Sequence, residues 1–104
     1  MRRSDPTSPE VRDRVLLRDG YACIAPRVDP DSGRCGDIEG RPLRVGMLEV
    51  DHVRPEVGAR TVSAERWMVS ICPWHHRATI GGRNWATSHR AEVREYLEAM
   101  YGEG

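Results

Sequence analysis

The sequence predicts a small α+β domain: two short strands flanked by an N-terminal and a C-terminal helix. Three observations carry this. Ser8-Pro9-Glu10 is helix-start chemistry, residues 47–53 and 67–71 are β-rich runs, and Val93, Leu97 and Met100 recur at i, i+4 and i+7. With 104 residues there is room for one core, so residues 9–104 read as a single domain behind a polar, flexible leader over residues 1–8. Hydrophobic residues make up 38% and Phe is absent. A core that small is usually supplemented by a disulfide, a metal or a partner.

The elements follow in order. Ser8 is the N-cap, Pro9 the first helical residue, and Glu10 the acid that suits the positive helix end. Val11, Val15 and Leu16 form a short apolar stripe, and Gly20 closes the helix at C′. From Cys23 to Pro42 the chain is turn chemistry without helical period: Pro26, Asp29-Pro30-Asp31, Ser32-Gly33, Gly40. A structureless loop that long needs something to tie it down. Residues 47–53 alternate as a strand, with Leu48, Val50 and His52 on one face, and Pro55 and Gly58 end it. Trp67 to Ile71 is the second strand. Cys72-Pro73 opens a short helix through Ala78, stopped by Gly81-Gly82. The last helix starts after Thr87 or Ser88 and runs to about Tyr101, before Gly102.

Composition narrows the function classes. No apolar run approaches the ~20 residues of a membrane span, and the start lacks a signal-peptide pattern. A membrane protein or a secreted precursor is not expected. The 16 basic residues are all Arg and balance 16 acids, a bias that a GC-rich genome produces by itself. Three cysteines cannot all pair within the chain, which leaves metal binding or free thiols.

Cys23, Cys35, Cys72 and His75 are the first constellation. Cys72-Pro73-Trp74-His75 is C-x-x-H, a spacing by which one turn at a helix start offers two ligands to one ion. Cys23 and Cys35 stand further apart than the arms of a usual knuckle. Three thiolates and an imidazole make a closed tetrahedral zinc site, which would pin the long loop and stabilise a chain with a small core. The alternative is that the cysteines are small buried apolar residues. Asp51-His52 and His76 are the second constellation. A DH dipeptide alone means little, but this one lies between the two halves of the first set, and His76 directly follows it.

The order Arg18-Asp19-Gly20-Tyr21-Ala22-Cys23, Cys35, Leu48-Glu49-Val50-Asp51-His52-Val53-Arg54-Pro55 and Ile71-Cys72-Pro73-Trp74-His75-His76 resembles the HNH endonuclease family. It is most similar to the small free-standing members of bacteriophages and actinobacteria, over residues 11 to 80. The resemblance implies a ββα-metal (His-Me finger) core, with two antiparallel strands and a helix around a divalent ion. His52 would be the general base, Asp51 and His76 the protein ligands of the catalytic ion, and Cys23, Cys35, Cys72 and His75 the structural zinc ligands. His75 stands where the family more often has Cys. Trp67 falls where the family usually has Asn, and Trp cannot ligate an ion. Ser70, Glu65, Asn84 and His89 are the candidates to replace it.

The implied function is metal-dependent hydrolysis of DNA phosphodiester bonds, by nicking or double-strand cleavage. Its cofactors are structural Zn²⁺ and catalytic Mg²⁺, Mn²⁺ or another divalent ion. The implied setting is a bacterial host cytoplasm, with a phage DNA-packaging terminase or another large protein as partner. The alternative is a catalytically weak or inactive zinc module that binds DNA or a protein. Imidazole suits a base near neutral pH, and a hard cation polarises a phosphate. Net charge is zero, but residues 52–94 carry seven Arg against three acids. Arg54, Arg66, Arg77 and Arg83 of that stretch are the candidate DNA contacts. The alternative for these arginines is a solvated surface paired with the acidic stretches. Trp74 and Trp85 are expected to pack rather than stack on bases.

Overall fold

The computed structural model describes residues 8–53, 65–79 and 84–102. The leader residues before Ser8, the strand stops Pro55 and Gly58, the helix stop Gly81-Gly82, and Arg54, Arg60 and Arg83 lie outside the described residues.

The first helix, α1 (Pro9–Arg18), forms where the capping chemistry places it. The Ser8 side chain accepts from the Val11 amide at 3.2 Å, and Gly20 takes φ +73° just past the end. Val15 and Leu16 are buried while Val11 is half-buried, so the stripe faces inward along one edge.

The segment expected to lack structure contains one helical turn, α2 (Ala25–Val28). Pro26 reads as a turn residue, yet it sits in the first turn of α2, where its missing N–H costs nothing. The turn is tied to the sheet by the Ile24 amide, which donates to the Ser70 carbonyl at 3.0 Å.

The sheet has two antiparallel strands, β1 (Glu49–His52) and β2 (Met68–Ile71), with Glu49 opposite Ile71, Asp51 opposite Val69 and His52 opposite Met68. Both strands are shorter than the alternation suggests, because Val45–Met47 and Glu65–Trp67 close into 3₁₀ turns. The Val53 amide still donates to the Trp67 carbonyl at 2.7 Å, which extends the ladder past β1. All four residues of β2 are buried, whereas those of β1 are half-buried. The two strands therefore have different jobs: β2 is core and β1 is a face that side chains of other elements approach.

Directly after β2, Cys72 caps α3 (Pro73–Arg77), its sulfur accepting from the His75 amide. The C-terminal helix is split. Asn84 caps α4 (Trp85–Ser88), accepting from the Thr87 amide at 2.8 Å, and α5 (Arg90–Tyr101) follows. His89 breaks the two: at φ −118° it is not helical, and its ring stacks on Trp85 at 4.6 Å. Val93 and Leu97 are buried as the spacing predicts, but Met100 is 43% exposed, so the buried stripe stops one turn early.

Two apolar clusters form the core. One packs Leu16, Leu48, Ile71 and Ala86 around Cys23 and Cys72, and the other packs Ile24, Val53, Val69, Val93 and Leu97. Trp85 touches both, and Trp74 packs against the first, so these rings are packing groups as expected. Among the described residues no helix is long and apolar enough to cross a membrane.

Candidate functional site

Four side chains from three parts of the chain converge beside the first cluster. Cys23 follows α1, Cys35 sits in the loop after α2, and Cys72 and His75 come from the cap and body of α3. Their ligand atoms all lie within 4.8 Å of one another. His75 Nδ1 is 3.2 Å from Cys72 Sγ, 3.7 Å from Cys35 Sγ and 3.8 Å from Cys23 Sγ. A zinc ion with bonds of ~2.3 Å to sulfur and ~2.0–2.1 Å to nitrogen, at tetrahedral angles, sets N···S edges of roughly 3.6 Å. The donor set fits such an ion. All three thiols are free of disulfides.

The surroundings prepare the donors. His75 Nε2–H donates to the Ser32 carbonyl at 2.8 Å, which turns Nδ1 toward the sulfurs. The Ala25 amide points at Cys23 Sγ at 3.4 Å. The hydrogen bond from the Cys23 thiol, joined by His75 and backbone amides, holds the Cys72 thiol down at about 3. Cys23 is pushed up by that same bond and by burial, and burial pushes Cys35 up to about 11. Burial opposes a charge on His75, but the Cys72 and Ser32 contacts outweigh it and raise its pKa. Thiolates are the metal ligands, so a bound cation would release thiol protons. Gly36 leaves the loop no room for a side chain: a Cβ there would stand 2.7 Å from the Arg41 carbonyl oxygen.

The second constellation lies on one half-buried face of β1. Glu49 and Asp51 are two residues apart on one strand and so share a face. His76 of α3 reaches between them, with Nδ1 2.7 Å from Glu49 Oε1 and Nε2 3.4 Å from Asp51 Oδ1. The Arg90 guanidinium donates to Asp51 Oδ2 at 3.0 Å and to the His52 carbonyl at 3.0 Å. Arg77 donates to Glu49 Oε2 at 2.6 Å. Burial pushes Asp51 up, but His76 and Arg90 outweigh it and hold it below the usual carboxylate range. The Asp51 hydrogen bond, with Glu49 beside it, raises His76. One ion at ~2.1 Å from an oxygen and a nitrogen would set them roughly 3.0–3.4 Å apart, from octahedral to tetrahedral angles, and the 3.4 Å ion pair lies at the tetrahedral end of that range. Among the described residues, the Cys₃His set is the one place where three or more His, Cys, Asp or Glu donors converge that closely.

The structure brings together Asp51 and His76, whereas His52, half-buried, is the next residue on β1 and by the strand's alternation shares the other face with Val50. The proposed replacements for the missing Asn are engaged elsewhere. Ser70 donates to the Val15 carbonyl, Glu65 pairs with Arg14 and Tyr101, Asn84 caps α4, and His89 lies 3.4 Å from Asp29. Of the candidate DNA contacts, Arg77 is beside the site, whereas Arg66 stacks on Trp67 and donates to the Gly102 carbonyl. Sequence reasoning missed Glu49, Arg90 and Ser32. The i, i+2 position of Glu49 on a predicted strand was a signal for the first. Arg90 and Ser32 reach their partners across long sequence separations and left no local trace.

The chain matches no family model, no curated protein and no solved structure. What stands firmly is an α+β fold with a two-stranded sheet and a Cys₃His cluster able to hold a metal such as zinc.

Proposed function

We propose that the protein is a metal-dependent endonuclease of the HNH type that hydrolyses DNA phosphodiester bonds. One observation carries the reading. Strand, strand and helix follow in chain order, and Asp51 of the first strand faces His76 of the helix at 3.4 Å. In this reading Cys23, Cys35, Cys72 and His75 hold a structural zinc, which fixes the helix that carries His76. Asp51 and His76 hold the catalytic ion, Mg²⁺, Mn²⁺ or another divalent cation. When bound, that ion supplies charge relief at the phosphate and the leaving 3′ oxygen.

The chain's own residues do the rest. His52 accepts the proton of the attacking water through its ring, a role that an imidazole fills near neutral pH. Arg77 and Arg90 stand beside the pair, each held by a carboxylate, and Arg54 and Arg83 are the further DNA contacts that the sequence suggests. Cleavage leaves a 5′-phosphate and a 3′-hydroxyl. A DNA-packaging partner, such as a phage terminase in a bacterial cytoplasm, belongs to the same proposal.

Trp67 favours a second reading. It occupies the place of the family's Asn and lies under the Arg66 guanidinium at 4.6 Å, so it offers no ligand. On that reading the domain is a zinc module that binds DNA or protein without cutting. A plasmid nicking assay with Mg²⁺, Mn²⁺ or Ni²⁺ separates the two. The nuclease reading expects nicking by wild type and its loss in His52→Ala at equal zinc content. Equal nicking by both, or none by clean wild type, defeats it.

A further inference from the structure

We propose that the loop bearing Cys35 is a grip for the DNA phosphate backbone, made by Arg34 and Arg44 at its two ends. The choice of DNA as the partner rests on the nuclease reading, but the surface itself does not. Most described arginines are engaged within the fold. Arg12 donates to the Leu48 carbonyl, Arg18 grips Asp19, and Arg77 and Arg90 hold Glu49 and Asp51. Arg34 and Arg44 are exposed, and among the described residues neither head makes an ion pair or a hydrogen bond. The chain between them holds two acids, Asp37 and Glu39, and both pair with Arg41. Two cations therefore face solvent with no unpaired acid between them.

The loop is also stiff. Asp37 Oδ1 accepts the Glu39 and Arg41 amides, each at 2.9 Å, and Gly40 takes φ +83° to close that turn. The Trp74 amide donates to the Gly36 carbonyl at 3.0 Å, and Cys35 belongs to the Cys₃His set. An anion would meet a surface already ordered, which lowers the cost of binding. There is room beside each arginine. Arg34 lines a cavity of about 360 Å³ with Gly40 and Trp74, and Arg44 lines one of about 500 Å³ with Pro42 and Met47. The guanidinium fork matches phosphate oxygens, and such contacts hold a backbone without reading its sequence. Because the net charge is zero, the chain has no overall field to hold a polyanion, so affinity must come from local cations of this kind. Arg44 leads through a 3₁₀ turn into β1, and Trp74 shares α3 with His76, so the surface is joined to the elements that carry Asp51 and His76.

The test is binding of the zinc-loaded full chain to a short fluorescein-labelled DNA duplex, followed by anisotropy from about 50 to 200 mM salt without Mg²⁺ or Mn²⁺. Each arginine on a phosphate contributes about 0.9 to the slope of log K against log salt, so Arg34→Ala with Arg44→Ala should lower the slope by about two. Arg34→Lys with Arg44→Lys keeps both charges and should keep most of the slope. Arg94→Ala removes another head with no partner among the described residues, from α5, and should leave the slope unchanged. A slope within about 0.5 of wild type in the alanine pair overturns the proposal. An equal loss per charge in Arg94→Ala overturns it too, since bulk charge is then the cause. A lysine pair as impaired as the alanine pair also overturns it, because the effect then lies in the loop's shape. The two ideas fail separately. Wild type that binds through this pair and never nicks DNA ends the nuclease reading and leaves the grip standing. Wild type that nicks, with a salt slope indifferent to the pair, ends the grip and leaves the nuclease reading standing. Wild type that binds no duplex even at about 50 mM salt ends both.

Discussion

Replacing Asp19 with Asn should cost about 3–5 kcal/mol of stability, the range for breaking one side of a buried ion pair. Asp19 is fully buried at the end of α1. Its carboxylate accepts four hydrogen bonds: from Arg18 Nε and Nη2, each at 2.9 Å, from the Ser70 amide at 2.8 Å, and from the Tyr96 hydroxyl at 2.7 Å. It thus joins α1, β2 and α5 at one point. Asn keeps one oxygen and turns an NH₂ donor toward donors that Asp19 satisfied. Whichever oxygen the NH₂ replaces, one Arg18 bond is lost, and the Arg18 head, only 12% exposed, loses its counter-charge. Arg18 retains the Glu65 and Met68 carbonyls at 2.7 Å, which limits the damage. For a domain of about 100 residues the Tm should fall by roughly 12–40 °C. Urea unfolding of the zinc-loaded protein, followed by Trp fluorescence, measures it. A loss below about 1 kcal/mol would refute the account of Asp19 as the junction of three elements.

Three further outcomes are expected. Stripping the metal with a strong chelator, or changing Cys72 to Ser, should unfold the domain, because structural zinc contributes about 10–16 kcal/mol where whole domains hold about 5–15; circular dichroism unchanged after zinc loss would contradict this. On the proposed nuclease reading, Arg90→Ala removes a charge-assisted bond to Asp51, worth about 1.5–3 kcal/mol, and should slow DNA cleavage by roughly 10–100-fold at unchanged zinc content. Tyr96 is raised by burial and by its bond to Asp19, so its stabilisation is complete below the ordinary tyrosine pKa and is lost as pH rises through the folded one. Absorbance at alkaline pH should therefore show one tyrosine ionising late, and Tyr96→Phe should abolish that late step.

Local chemistry was legible where a single residue type decides the backbone. Ser8, Pro9 and Gly20 bound α1, and Cys72 caps α3 with the C-x-x-H spacing that presents His75 to the sulfurs. Strand ends were less legible. Met47 adjoins the apolar run and Trp67 continues the alternation through Val69 and Ile71, but both are taken by 3₁₀ turns that nothing in the pattern marks. The break at His89 depends on a stacking contact with Trp85 rather than on a Gly or Pro. Asp19, Glu49 and Arg90 are ordinary surface types in the sequence. Their importance arises from partners 39 to 77 positions away for Asp19's bond to Tyr96 and Arg90's bond to Asp51, and 27 away for Glu49 and His76. The Cys₃His set was readable because cysteine is scarce here and its chemistry is restrictive, whereas carboxylates are common and become a site only when folding aims them.

The proposed nuclease is one small unit that carries a structural zinc and, beside it, a separate catalytic cation site. Crystals of the zinc-loaded protein soaked in Mn²⁺, with anomalous data collected for both metals, test it most directly. Zinc is expected among Cys23, Cys35, Cys72 and His75, and a manganese peak is expected at Asp51 and His76. Zinc alone, with His76 still bridging Glu49 and Asp51 and no manganese beside it, would contradict it.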